Sequence, residues 1–200
     1  MNRFVATISH VSAHLNEIEV PFALVGGLAV SARTEPRFTR DVDFAVAVDE
    51  DNEAERLVKF LTGRGYAINA IVEHEERKRP ATVRLLSPQK GNPGVVVDLL
   101  FASSGIECEI AEAAEMIEVW EEVVLPVAVV GHLIALKLLS RDDIVRPQDS
   151  IDLDALLTVA DDREIERARK AVLLIAERGF NRGKNLPIQF EEILRGTDSP

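Results

Sequence analysis

The sequence predicts an α+β fold in which a mixed β-sheet is flanked by helices and followed by a helical C-terminal part. Short apolar segments separated by turn residues dominate the middle of the chain, whereas longer segments with helical spacing dominate its end. The length of 200 residues suits one domain with a helical extension. Hydrophobic residues make up 46% of the chain and charged residues 28%, which is typical of a globular protein.

In the first half of the chain, the hydrophobic pattern changes repeatedly between helical and extended. The first helical segment places apolar residues from Phe4 to Leu15 on one face, and Pro21 follows its end. Polar and apolar residues alternate from Asp41 to Val48, which predicts a half-buried strand. The predicted helices are 2–17, 28–33 and 52–63, and the predicted strands are 22–25, 41–48, 66–73, 81–87 and 95–101.

The second half of the chain is predicted to be mainly helical after one hairpin. A loop of two serines and Gly105 separates it from the strands before it. The predicted elements are a helix at 106–114, a hairpin of strands 115–120 and 123–130, and helices at 132–140, 149–159, 163–178 and 188–194. We therefore predict a core of residues 1–130 and a helical C-terminal part of residues 131–200.

Composition and charge exclude several classes of protein. The single cysteine, Cys108, excludes a disulfide framework. No apolar run approaches the roughly 18 residues that a membrane span requires, and the N-terminal segment lacks the apolar stretch of a signal peptide. We therefore expect a cytoplasmic protein with no membrane partner. The 23 basic and 34 acidic residues leave a net charge of -11, which argues against bulk nucleic-acid binding.

Three aspartates are the candidate metal ligands. Asp41 and Asp43 are two residues apart on a predicted strand, so their side chains point the same way, about 6.6 Å apart. A divalent cation between them would relieve their repulsion, and hard oxygen ligands suit magnesium or manganese. Asp98 lies inside an apolar run, where a carboxylate is costly unless it is paired or metal-bound, so it is the candidate third ligand. The alternatives are that the first two acids are solvated on an edge strand, and that Asp98 faces water or pairs with an arginine.

A pair of glycines is the candidate phosphate-binding turn. Gly26-Gly27 follows a predicted strand and precedes a predicted helix. Glycine lets a ligand approach the backbone closely, and free amides at the start of a helix attract phosphate, although a simple turn is the alternative. The chain returns to the next strand at Asp41, which places the glycines and the aspartates at one cleft. Arg37 and Thr39 precede Asp41 at alternate positions and are candidates to line that cleft, although Thr39 equally suits a turn.

A lysine in an apolar helix is a further candidate. Lys137 lies among leucines and isoleucine in the predicted helix 132–140. A lysine in such surroundings needs a partner or must extend its amine to solvent. The phosphates of a nucleoside triphosphate would be a suitable partner, and an internal ion pair is the alternative.

Together these motifs resemble the DNA polymerase beta-type nucleotidyltransferase superfamily. Val25-Gly26-Gly27 is followed by Arg37-Phe38-Thr39-Arg40-Asp41-Val42-Asp43, which fits the superfamily's R-x-T-x-D-x-D form, and later by Asp98. Residues 132–152 resemble the later segment of its minimal members, which include the AbiEii-type toxins. In this segment, Arg146, Asp149 and Asp152 match the family's R-x-K-D-x-x-D stretch. The resemblance covers residues 20–155.

The resemblance implies a nucleotidyltransferase-like fold and a reaction. A nucleoside triphosphate (NTP) gives its nucleoside monophosphate to a hydroxyl acceptor on RNA, a protein or a small molecule and releases pyrophosphate. By matching position, Asp41 and Asp43 hold two Mg²⁺ ions, and Asp98 shares one of them and helps to deprotonate the acceptor. The implied nucleotide-binding residues are Gly26, Gly27, Arg37, Thr39, Lys137 and Arg146. Resemblance to toxins also implies an antitoxin partner.

Two departures from the family pattern keep a second function open. Gly26-Gly27 stands where many members have Gly-Ser, and Gln148 replaces a lysine that often precedes the matching aspartate. The alternative is therefore a catalytically inactive relative that binds a nucleotide or a partner.

Overall fold

The computed structural model describes residues 3–48, 51–73, 80–88, 94–142 and 147–197. The elements in these residues, in chain order, are α1 (Arg3–Glu17), β1 (Phe22–Val25), α2 (Gly26–Arg33), β2 (Asp41–Val46), α3 (Asp51–Gly63), β3 (Ala67–Glu73), β4 (Pro80–Leu86), β5 (Val96–Leu100), α4 (Glu107–Glu112), β6 (Glu115–Trp120), β7 (Val123–Val127), α5 (Val130–Ser140), α6 (Pro147–Val159), α7 (Asp162–Glu177) and α8 (Leu186–Thr197). This mixture of strands and helices confirms the α+β class.

The seven described strands form one mixed sheet in the order β3-β4-β5-β2-β1-β7-β6. Two pairs of neighbours, β2 with β5 and β1 with β7, are parallel, and the other four pairs are antiparallel. The central strands are the most apolar, and every residue of β1 is buried. Burial on both faces requires helices on both sides of the sheet, which is the arrangement predicted from the sequence.

The local signals place most elements within a few residues of their predicted bounds. The apolar face of α1 is fully buried at Ile8, Val11 and Leu15. Asp161 begins α7 by accepting a hydrogen bond from the backbone N–H of Glu164, at 2.8 Å.

Beside the glycine turn and at the end of β2, two bounds differ from prediction by two residues each. The helix predicted to begin at residue 28 includes both glycines and begins at Gly26. The strand predicted to continue to residue 48 ends at Val46. Helix α2 therefore follows β1 directly, because Gly26 adopts a positive φ of 66° that turns the chain without a separate loop.

The C-terminal helices pack onto the sheet through α5 and α2. Helix α5 is almost wholly buried and contacts α2, α6, α7 and α8. The division of the chain at residue 130 remains a prediction. Within the described ranges, none of the helices is long and apolar enough to span a membrane.

Candidate active site

The three candidate aspartates lie at one place on two neighbouring strands. Strand β2 carries Asp41 and Asp43, strand β5 carries Asp98, and the parallel register places Asp43 directly beside Asp98. Adjacent strands are about 4.8 Å apart, so the two carboxylates project from neighbouring backbones. Asp41 and Asp43 are half-buried, whereas Val42 and Phe44 between and after them are fully buried on the opposite face. The alternation predicted for β2 is thus what directs both acids to one side.

The electrostatics of Asp43 show that these acids interact. Loss of solvent, and then the nearby carboxylates of Asp98 and Asp41, raise the pKa of Asp43 to about 7. Lys137 and Arg84 act in the opposite direction but do not cancel the effect. Three carboxylate groups with an excess of negative charge form the donor set that suits Mg²⁺. The residues present therefore fit a divalent cation by their chemistry.

Asp98 has a partner that the sequence analysis did not name. Arg84 on β4 lies opposite Asp98 in the antiparallel register. Its Nε donates to Asp98 Oδ1 at 2.8 Å and its Nη2 donates to Asp98 Oδ2 at 2.6 Å. Both carboxylate oxygens are therefore engaged, and Asp98 is only 6% exposed. This is the arginine pair that was one alternative for Asp98. In the part of the chain that the structure describes, no three His, Cys, Asp or Glu side chains are arranged to hold a metal ion.

The glycine turn lies directly against the acids and the loop before them. A Cβ atom at Gly26 would lie 2.6 Å from Cγ of Asp43, so the Asp43 side chain covers the bare backbone of the turn. A Cβ atom at Gly27 would lie 2.6 Å from Nη2 of Arg37 and 3.1 Å from Oγ1 of Thr39. The structure thus brings together the two glycines, Arg37, Thr39 and Asp43, as the spacing predicted.

Lys137 lies near these groups within a buried ion-pair network. Its Nζ is 2.8 Å from Asp149 Oδ1 and 2.8 Å from Asp152 Oδ2. Asp152 also accepts hydrogen bonds from Arg37 Nη2, at 2.6 Å, and from Gln148 Nε2, at 3.2 Å. Burial alone would raise the pKa of Asp152, but its hydrogen bonds from Arg37 and Lys137 outweigh burial and lower it. Asp152 therefore remains ionised and holds both cations in place.

Some atoms of this network lack hydrogen-bond partners among the described residues. They are the buried Nε of Arg37 and the buried Oδ2 of Asp149. Asp149 belongs to the first turn of α6, and its carboxylate pairs with Lys137. Arg146, the remaining predicted nucleotide-binding residue, lies outside the described residues.

Arg84 is the residue of this candidate site that was not predicted from the sequence. The available signal was a charged residue in a strand, Ala81 to Leu86, in which every other residue except Thr82 is apolar. Its contact with Asp98 depends on the pairing of β4 with β5, which no local pattern specifies.

The fold resembles solved structures of nucleotidyltransferase-like proteins. An antigenic nucleotidyltransferase-like protein from Paracoccidioides brasiliensis matches with a TM-score of 0.53 and 17% identity, over 88% of each chain. The antibiotic-resistance factor ANT(2'')-Ia matches with a TM-score of 0.52 and 18% identity, over 88% of this chain and 92% of that one. MenT4, a nucleotidyltransferase toxin from Mycobacterium tuberculosis, matches with a TM-score of 0.51 and 17% identity, over 84% of this chain and 63% of its own. At these identities, the likeness establishes the fold.

The family is established by the sequence over nearly its whole length. No curated protein sequence matches the chain. A family model described as the nucleotidyl transferase AbiEii toxin of a type IV toxin–antitoxin (TA) system matches residues 13–197. The chain therefore belongs to the AbiEii nucleotidyl transferase toxin family, and it is a nucleotidyltransferase.

Proposed function

We propose that the protein is a magnesium-dependent enzyme that transfers a nucleoside monophosphate from an NTP to a hydroxyl acceptor on RNA, a protein or a small molecule. The observation that carries this proposal is the strand register that places Asp43 beside Asp98, with Asp41 two residues away on β2 and the Gly26-Gly27 turn against Asp43. Acids beside a glycine turn that begins a helix supply the two things this transfer needs, which are ligands for hard cations and helix-start N–H groups for phosphate.

The three aspartates would hold two Mg²⁺ ions and receive the acceptor's proton. Bound ions would neutralise the phosphates and stabilise the attacking and leaving oxygens of an in-line displacement. An Asp98 oxygen takes the proton of the acceptor hydroxyl as the acceptor oxygen bonds to the α-phosphorus. The bond from that phosphorus to the pyrophosphate oxygen breaks, and pyrophosphate leaves with the electron pair.

The remaining predicted residues bind the nucleotide. Gly26 and Gly27 begin α2, where backbone N–H groups without a partner in the helix attract the triphosphate. Arg37 and Lys137 supply positive charge, which Asp152 holds at fixed positions 2.6 and 2.8 Å from its own Oδ2. Thr39 adds a hydroxyl beside Gly27. Arg146 is included among the nucleotide-binding residues because it matches the family stretch.

We further propose that the enzyme acts as the toxin of a TA pair, with an antitoxin as its genetic partner. Membership of a toxin family supports this role. The use of NTPs supports a cytoplasmic location, because that is where cells maintain them. Induced expression should arrest growth, and expression of an Asp41→Asn/Asp43→Asn double variant at the same level should not.

A label-transfer assay tests the proposed reaction. The purified protein is incubated with each α-labelled NTP, Mg²⁺ and separate RNA, protein and small-molecule fractions of a cell extract. We expect label in one fraction, loss of the signal with EDTA, and a decrease of at least about 100-fold in the double variant. The matched control is Asp154→Asn, which changes an exposed aspartate of α6 and should leave transfer unchanged.

The same assay separates the enzyme from an inactive relative. Transfer that persists in the double variant would contradict the assignment of the aspartates. Tight NTP binding by calorimetry, with no transfer to any fraction, would favour the alternative of a binding protein, for which the pairing of Asp98 with Arg84 is the supporting observation.

A further inference from the structure

We propose that Arg84 is a built-in counter-ion that occupies Asp98 in the metal-free enzyme and must leave before a divalent cation binds there. This inference rests on the proposed metal dependence and extends it to a residue that the family motifs do not include. It makes Arg84 a positioning residue that sets the metal affinity of the site.

The geometry of the pair leaves no carboxylate oxygen for a cation. The Arg84 guanidinium contacts both oxygens of Asp98, at 2.8 and 2.6 Å. A planar guanidinium that contacts a carboxylate in this two-point manner is the strongest form of such an ion pair. A cation that takes either oxygen as a ligand must break at least one of these bonds, and its charge then repels the guanidinium. Arg84 and a metal ion at Asp98 are therefore competitors.

The different burial of the two side chains explains why Arg84 pairs with Asp98 and why a cation can still replace Arg84. The Asp98 side chain is 9% exposed, so an ionised carboxylate there is costly without a partner. The Arg84 side chain is 43% exposed, so its guanidinium can move into solvent without losing a buried environment. The arginine is thus anchored on β4 but free to turn away, whereas Asp98 keeps its place beside Asp43.

The charge of the site also favours replacement of Arg84 by a divalent cation. The parallel register of β2 and β5 gathers the carboxyl groups of Asp41, Asp43 and Asp98 on neighbouring strands, so a positive charge beside them is favourable. Arg84 supplies one compensating charge before the metal binds. Because a bound divalent ion replaces that charge, Arg84 is needed only in the metal-free state.

Metal-binding measurements on two Arg84 variants test the competition. Arg84→Gln removes the charge and the hydrogen bonds, whereas Arg84→Lys keeps the charge but lacks the two-point contact. Titration with Mn²⁺, followed by its electron paramagnetic resonance signal, should show affinity increased about tenfold in Arg84→Gln and about threefold in Arg84→Lys. The matched control is Arg64→Gln, which breaks a two-point pair with Glu17 outside the site and should not change Mn²⁺ affinity.

A nuclear magnetic resonance measurement on the wild-type chain provides a test that does not depend on folding of a variant. The Nε–H signal of Arg84, assigned by its absence in Arg84→Lys, should move towards the position of a solvated arginine as Mg²⁺ is added. The Nε–H signal of Arg64 should stay where it is.

The possible outcomes separate this inference from the proposed function. If Arg84→Lys and the wild type bind Mn²⁺ with equal affinity, Arg84 contributes only its net charge, and the proposed competition is overturned. An Arg84 signal that does not move at saturating Mg²⁺ would also overturn it. If Mn²⁺ binds and Asp43→Asn abolishes binding, the proposed metal site stands whatever the Arg84 result. If neither the wild type nor Arg84→Gln binds Mn²⁺, both proposals fail.

Discussion

At the residue scale, Gly26 is where the glycine turn lies against the side chain of Asp43, a candidate metal ligand. Its φ of 66° lies in the left-handed region, and the Asp43 side chain occupies the space that a Cβ atom would need. A side chain at this position would therefore both strain the backbone and displace Asp43. Gly26 links the turn that begins α2 to the chemistry of β2.

We expect Gly26→Ala to lower the free energy of unfolding by about 2–3 kcal/mol, as the sum of backbone strain and a steric clash. Displacement of Asp43 should also reduce label transfer by about 100-fold. The matched control is Gly179→Ala, because Gly179 has a φ of 74° but nothing within 4 Å of its Cβ position. Urea unfolding measures the free energy of unfolding of both variants. Equal losses would show that the Asp43 side chain moves aside without destabilising the protein.

At the scale of elements, a single buried carboxylate joins three parts of the chain. Asp152 on α6 binds Lys137 of α5 and Arg37 of the segment before β2. Asp152→Asn leaves these cations without their shared negative charge, and we expect a loss of about 3 kcal/mol of unfolding free energy. Asp154→Asn, on the exposed side of the same helix, should change it by less than about 0.5 kcal/mol. If urea unfolding gives a similar change in the free energy of unfolding for both variants, α6 is held in place by its apolar contacts alone.

A buried histidine makes the packing of α5 sensitive to acid. Burial, and then the nearby charge of Arg167, lower the pKa of His132 to about 4 from an ordinary value of 6.5. Between these values the unfolded chain binds a proton that the folded chain does not, so stability falls as the pH falls from 6.5 towards 4. At the acid end of this range, His132 lowers the free energy of unfolding by about 3 kcal/mol.

The comparison of the wild type with His132→Gln isolates this effect. Asp43, whose pKa is raised to about 7, changes stability in the opposite direction over the whole of this range and is present in both proteins. We expect the stability difference between the two proteins to change by up to about 3 kcal/mol between pH 7 and pH 4, measured by urea unfolding. A constant difference across this range would show that His132 takes up its proton equally in the folded and unfolded chains and would contradict the lowered pKa.

At the scale of the whole molecule, the sheet ends in an exposed strand. Strand β3 is the terminal strand, all seven of its residues are exposed, and Ile68, Ile71 and Val72 are 48%, 52% and 57% exposed. Exposed edge strands of this composition pair readily with other chains, whereas the net charge of -11 opposes association.

We expect the protein to self-associate at high concentration and high salt, where charge repulsion is screened. Val72→Lys should reduce this association, because a lysine on an edge strand discourages pairing with a second edge. Leu173→Lys is the control, since Leu173 is 42% exposed on α7, away from the sheet edge. Sedimentation velocity measures both variants, and an equal effect would assign the association to general hydrophobic contact.

Much of the fold and of the candidate site was predictable because the signals are local. The alternation of Asp41, Val42, Asp43 and Phe44 specifies which face each side chain takes, and the structure agrees. The glycine pair predicts a turn after β1, but that α2 begins at Gly26 itself depends on the φ that Gly26 adopts.

The sequence was sufficient for the α+β class, for the family and for the presence of two acids on one face of a strand, because each of these depends on neighbours within a few residues or on a motif. Contacts between distant parts of the chain decided the rest. The position of Asp98 beside Asp43, the engagement of Asp98 by Arg84 and the shared anchoring of Arg37 and Lys137 by Asp152 join residues that are 14 to 115 positions apart. Such contacts follow from sheet register and helix docking, which arise from packing of the whole core rather than from any local pattern.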